Sequence, residues 1–179
     1  MMTSPDPVGI HSGQTHPACI DPEILLKDCH IRHVRRSGPG GQHRNKVETG
    51  VVIKHLPTNI SGEASEKRQQ GRNRSIALFR LRVNLAIDHR TTEAPETPSL
   101  LWQRRLCNGT IKINSEHFDF PALLAEAFDA ITHFQFDIKA ASHYLQCSPS
   151  QLMKFLKKEP RAFALLNRKR FELGLHPLK

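Results

Sequence analysis

The chain has 179 residues, with 26 Lys and Arg against 17 Asp and Glu and a net charge of +9, enough for one substantial core or for a small domain with a smaller companion. No apolar run approaches the ~20 residues of a membrane span, so no membrane partner is expected. Four scattered cysteines (Cys19, Cys29, Cys107, Cys147) without a CxxC pair read as reduced thiols, and Cys29, His30 and His33 find no second ligand pair at zinc spacing, so neither a disulfide framework nor a metal is expected.

The charge is concentrated. Residues 30–90 hold 13 Lys and Arg against 4 Asp and Glu, residues 150–179 hold 8 against 2, and the segments between and before them are slightly acidic. Two basic blocks suggest two faces meeting a polyanion, with nucleic acid the leading partner.

Residues 1–20 are rich in Pro, Gly, Ser and His and are expected to be disordered. They carry neither the basic-then-apolar order of a secretory leader nor the pattern of a transit peptide, so a cytoplasmic protein is expected. Asp21-Pro22 is a helix-start signal leading into "EILLKDC". "HIRHVRR" (30–36) alternates like a strand, a glycine-rich loop follows, and "HRNKVET" suggests a short helix. "GVVIKHL" (50–56) is a second strand, rich in β-branched residues. "PTN" (57–59) has turn chemistry, with Asn59 suited to positive φ, and "ISGEA" completes a hairpin.

From Ser65 to about Asp88 the spacing predicts one long helix. Ile76, Phe79, Val83 and Ile87 form its apolar stripe, while its opening, "SEKRQQGRNR", is almost wholly polar. The order β-α-β-β-α predicts a two-layer α+β domain over residues 21–88. "HRTTEAPETPSL" (89–100) reads as a linker. Residues 101–179 read as a small all-α domain: Pro121 to about His133, "DIKAASHYLQ" (137–146), a helix started by Ser148-Pro149-Ser150-Gln151, and a last helix from Pro160 to Leu173 stopped by Gly174. The two short helices around "QCS" have the form of a helix-turn-helix.

The glycine loop, "SGPGGQHRNK" (37–46), matches neither the Walker pattern, which needs a Gly-Lys-Ser/Thr ending, nor the Rossmann pattern of Gly-x-Gly-x-x-Gly between strand and long helix. Its glycines allow close approach of backbone to a partner, and basic residues crowd both sides. "RSGPGGQHRNK", "HLPT" (55–58) and "EKRQQGRNR" (66–74) occur in order at compact spacing. Together they closely resemble the catalytic domain of the class I peptide chain release factors, over about residues 29–88. Within that superfamily the chain looks most like the short release factor-like proteins, which share the domain with the ribosome-rescue hydrolase alternative rescue factor B.

The resemblance implies an enzyme without a cofactor. Gly40, Gly41 and Gln42 stand at the positions of the loop that enters the ribosomal peptidyl-transferase centre, meets the P-site peptidyl-tRNA and promotes attack of water on its ester. A main-chain N–H of Gln42, pre-aimed at developing negative charge in a site closed to bulk water, supplies ~3 kcal/mol, and its carboxamide orients water without titrating. Contacts to large-subunit ribosomal RNA or the tRNA end are implied for Arg35, Arg36, Ser37, His43, Arg44, Asn45 and Lys46, for His55, and for Arg68, Gln69, Arg72, Asn73 and Arg74 at the polar start of the long helix. Such phosphate contacts fix position without reading sequence. A glutamine methyltransferase acting on Gln42 is a further implied partner. Two departures stand out. Asn59 replaces the usual glycine after "PT", and Glu66-Lys67-Arg68-Gln69 stands where "ERSQ" is usual, exchanging a small hydroxyl for charge.

Only about thirty residues precede the catalytic domain, fewer than a codon-reading domain needs, so hydrolysis on stalled ribosomes without codon recognition is expected. The C-terminal segment reads as folded rather than as a free basic tail, with Lys154, Lys157, Lys158, Arg168, Lys169 and Arg170 available to RNA. Two other readings fit the residues: a non-catalytic ribosomal RNA-binding or assembly protein that keeps the loop for docking, and a nucleic-acid-binding regulator working through the C-terminal helices.

Overall fold

The computed structural model describes residues 15–35, 48–91 and 96–179. The chain enters through a 3-10 turn, Pro17–Cys19, closed by His16, whose Nδ1 accepts from the amide of Ala18 at 3.0 Å. Of the segment expected to be disordered, residues 1–14 lie outside the described residues and residues 15–20 are ordered: Ala18 and His16 are buried, and the turn packs against the two principal helices. Asp21 caps α1 (Pro22–Leu25) by accepting from Glu23 N at 2.9 Å, as the Asp-Pro pair predicts.

Three antiparallel strands follow in the order β1-β2-β3: β1 (Cys29–Val34), β2 (Gly50–His55) and β3 (Ser61–Ala64). β1 and β2 pair from Cys29↔His55 to Val34↔Gly50, and β3 lies with Ala64 opposite Val51 and Gly62 opposite Ile53. Alternation along β2 and β3 puts Val51, Ile53, His55, Gly62 and Ala64 on the buried face. Asn59 takes φ 59° at the hairpin corner, the conformation its residue type allows.

The long helix, α2 (Gln70–Asp88), lies on that face. Only glycine permits the approach at residue 62. A Cβ there would stand 2.2 Å from Leu81 N and 2.3 Å from Ala77 O. α2 starts five residues later than its periodicity suggests. Gln69, its N-cap, is extended at φ −91° and ψ 121°, so residues 65–69 form a connecting segment and Arg68 and Gln69 are not on the helix. "HRNKVET" lies largely outside the described residues; Glu48 and Thr49, its last two, are not helical.

The sheet and α2 form the two expected layers, and a helical layer covers α2 from outside. α4 (Phe120–His133) packs on α2 rather than on the sheet. Both ends of the predicted linker are tied to α4: Arg90 and Thr91 bond Asp129, and Ser99 bonds Glu126. A buried arginine stitches the layers. Arg82, 3% exposed, donates from Nη2 to Ala18 O at 2.9 Å and from Nη1 to Phe118 O at 2.9 Å. Burial lowers its pKa, and the carbonyls supply the partners a buried cation requires.

Beyond residue 96 the chain forms α3 (Leu100–Arg105), capped by Ser99, and a small hairpin of β4 (Leu106–Cys107) and β5 (Thr110–Ile111). Its turn, Asn108-Gly109, has positive φ at both residues. The helix and hairpin are additions to the sequence-based reading. Trp102 of α3 is buried, bonded through Nε1 to Leu145 O at 2.8 Å and set edge-on to Phe155. After α4 come α5 (Ile138–Tyr144), α6 (Pro149–Leu156) and α7 (Pro160–Glu172). Ser148 caps α6, accepting from Gln151 N, and Gly174 (φ 71°) ends α7 with Leu175 N bonded to Arg170 O. The result is an α+β unit with a helical C-terminal region. No helix among the described residues is long and apolar enough to cross a membrane.

Candidate active site and nucleic-acid interface

The residues expected to act directly, Gly40, Gly41 and Gln42, lie outside the described residues, as do Arg36, Ser37, His43, Arg44, Asn45 and Lys46. Their attachment points are described. The segment leaves the sheet one residue after the last ladder pair, Val34↔Gly50, and returns through Glu48 and Thr49.

Side chains join the two stems and fasten them to α2. Arg35 Nε lies 3.1 Å from Glu48 Oε1, both largely exposed, a pair worth at most ~1 kcal/mol in water. Gln70, the first residue of α2, directs Nε2 at both Glu48 O (3.0 Å) and His33 Nδ1 (3.1 Å). One turn on, Asn73 donates from Nδ2 to Thr49 O (2.7 Å) and to Lys67 O (2.8 Å), while its Oδ1 accepts from Lys67 N (2.9 Å). Positions i and i+3 share a helix face, which is why both amides reach the same place.

Asn73 is 0% exposed and its polar atoms are occupied by main chain. It is not available to RNA, contrary to the sequence-based expectation; its side chain shapes the loop base. His55 is also buried, and its Nδ1 pairs with Thr58 Oγ1 at 2.8 Å, locking the hairpin turn. Burial lowers its pKa, favouring the neutral ring.

Arg68, Gln69, Arg72 and Arg74 are exposed, and none of the three arginines has an ion-pair partner among the described residues. They stand before and within the first turns of α2, beside the loop stems. The outer face of the sheet adds His30, Arg32 and Lys54, all exposed, with His30 and Lys54 directly paired across the strands. Arg32 and Lys54 were not singled out from sequence; alternation along β1 and β2 was the available signal.

In the helical region the structure sorts the expected cations. Arg170 bonds His176 O and Phe136 O, Lys157 bonds Lys179 O and lies over Phe163, Lys158 bonds Ile113 O, and Lys169 pairs with Glu172. Lys154 and Arg168 remain exposed. Lys154 and Lys158 join Lys112 around a cavity of about 230 Å³ between β5 and α6 that no acidic residue lines. Among the described residues, no three His, Cys, Asp or Glu side chains are grouped to hold a metal ion.

The RF-1 domain family matches residues 19–116, more than half of the chain. This chain belongs to that family. The matched stretch holds the sheet, the glycine loop, α2 and the β4–β5 hairpin, and α4 to α7 follow it. Peptide chain release factor 1 of Dictyoglomus thermophilum is 40% identical over 91 residues, covering 51% of this chain and 24% of that protein. The chloroplastic peptide chain release factor PrfB1 of Arabidopsis thaliana is 42% identical over 77 residues, 41% of this chain and 17% of that protein. The mitochondrial peptide chain release factor 1-like protein of Mus musculus is 44% identical over 66 residues, 37% of this chain and 18% of that protein. The match thus spans about a quarter or less of each of these relatives.

Proposed function

We propose that this chain hydrolyses peptidyl-tRNA on the ribosome, with Gly40, Gly41 and Gln42 at the reacting ester. The observation that carries this reading is the family match across a loop whose two stems are fastened to a helix start that bears Arg72 and Arg74 and is preceded by Arg68. Water adds to the ester carbonyl carbon, the bond to the terminal ribose oxygen breaks, and that oxygen takes a proton. The products are a free peptide carboxylate and a tRNA with its hydroxyl restored. Gln42 contributes a fixed N–H to the charge that develops, a role that needs no titrating side chain. The exposed arginines and the remaining loop cations neutralise RNA phosphate.

The finer reading is release from stalled ribosomes without codon recognition, as in proteins resembling alternative rescue factor B, in the cytoplasm where translation proceeds. The helical region supports it by offering a second basic surface, Lys112, Lys154 and Lys158, on a body packed directly against α2. We keep the division into an α+β unit to residue 88 and a helical unit from 101 as part of this proposal. Gln42 is a candidate substrate for a glutamine methyltransferase.

The test is peptide release from ribosomes halted on mRNA with and without a stop codon. Wild type releases peptide at similar rates on both, and Gln42→Ala lowers the rate by at least about a hundredfold while still binding ribosomes. Absence of release from both complexes overturns the assignment; release only at stop codons overturns its codon-independent part.

A further inference from the structure

We propose that Gln70 is a positioning residue, which, with Asn73 beneath it, holds Glu48 and Thr49, the stem on which the chain re-enters the sheet, in a fixed place beside β1. This rests on the reading that Gln42 acts at the ester. Gln70 spans the mouth of the loop, reaching His33 on the outgoing strand and Glu48 on the returning stem with one amide nitrogen. Asn73 holds the next residue, Thr49, and at the same time fixes Lys67 in the connection that delivers Gln70.

Both amides sit on a platform that cannot readily shift. α2 is locked to β3 by the contact at Gly62, and Ala77 and Leu81, one and two turns further along, are fully buried. The fold thus provides a rigid reference, two donors on one helix face, and acceptors on both stems.

The exposed Gln70 half of the clasp contributes little to folding stability. Loop-closure entropy varies with the logarithm of loop length, so fastening one further residue at each end of so long a loop barely changes it. Its effect falls on orientation. A catalytic group displaced by about an ångström can lose up to about a hundredfold in rate, while binding energy drawn from other contacts is untouched. Arg68, Arg72 and Arg74, by contrast, face solvent and can affect only attachment.

Gln70→Ala in the full chain separates the two roles, since the side chain is exposed and its loss leaves the core intact. We expect melting within about 2 °C of wild type, faster amide hydrogen exchange at residues 48–50, and a maximal release rate about tenfold lower with the half-saturating ribosome concentration unchanged. Gln70→Arg, which keeps N–H donors at the site, should recover part of the rate. Arg68→Ala should instead raise the half-saturating concentration. Unchanged exchange at residues 48–50, or a maximal rate equal to that of wild type, overturns the inference. If wild type itself releases no peptide, the functional assignment fails, and the exchange measurement still decides whether Gln70 holds the stem.

Discussion

Asn73 and Thr49, 24 positions apart in the chain, are joined by a hydrogen bond of 2.7 Å in which a buried side-chain amide holds the carbonyl next to the start of β2. The same amide holds both the N–H and the C=O of Lys67. Replacing Asn73 by Ala leaves these partly buried groups without their partner, at a cost of about 2 kcal/mol. A shift of the urea midpoint at constant slope measures it. Stability within 0.5 kcal/mol of wild type would show that the connection rearranges.

Gly62→Ala is expected to be at least as damaging. The added methyl meets the backbone of Leu81 and Ala77 at little more than 2 Å, and backbone cannot rotate away as a side chain can. Separating β3 from α2 should cost ~3 kcal/mol, seen calorimetrically as a melting point lower by about 10 °C.

His16 makes stability depend on pH. Its neutral ring accepts at Nδ1 from Ala18 and donates from Nε2 to His89 O, and burial holds its pKa down to about 4, Arg90 and His89 adding to the effect against the opposing pull of Asp129. In the unfolded chain it titrates near 6.5. Between those values the unfolded state binds a proton that the folded state refuses, so its contribution is complete above pH 6.5 and is lost as pH falls toward 4. From pH 7 to pH 5 it should account for about 2 kcal/mol, and His16→Gln should flatten the dependence in that window. Part of the slope should survive through His55, whose pKa is lowered in the same sense.

Lys112 and Lys154 face a common cavity without acidic neighbours. Converting both to Glu should weaken ribosome binding and reduce the slope of log affinity against log salt by about 1.5, the loss of two phosphate contacts. Gln42→Ala should leave that slope unchanged. Equal slopes for the double variant and wild type would remove this surface from the interface.

The sheet and most of the helices are legible from local pattern. Val51, Ile53 and Ala64 alternate, Asp21, Ser148 and Pro160 mark helix starts, and Asn59 and Gly174 sit where positive φ is required. The start of α2 is not legible in this way. Ser65 to Gln69 are polar and compatible with a helix, yet Asn73 bonds Lys67 main chain and Arg80 bonds Glu66, holding the segment out of the helix. The Asn108-Gly109 hairpin carried a turn signal, but strands of two residues are too short to show a period.

The amino-acid sequence alone determined the motif on which the proposed chemistry rests, a glycine-rich stretch ending in an untitratable amide and flanked by cations, and the periods of the elements around it. Tertiary structure decided which of these polar side chains stay in solvent. Asn73 and His55 look like surface contacts in one dimension and are consumed inside the fold, whereas Arg68, Arg72 and Arg74 stay in solvent. The reason is that a buried polar group must find its partner within the protein, and that partner is set by which strand and helix meet, not by the residues on either side.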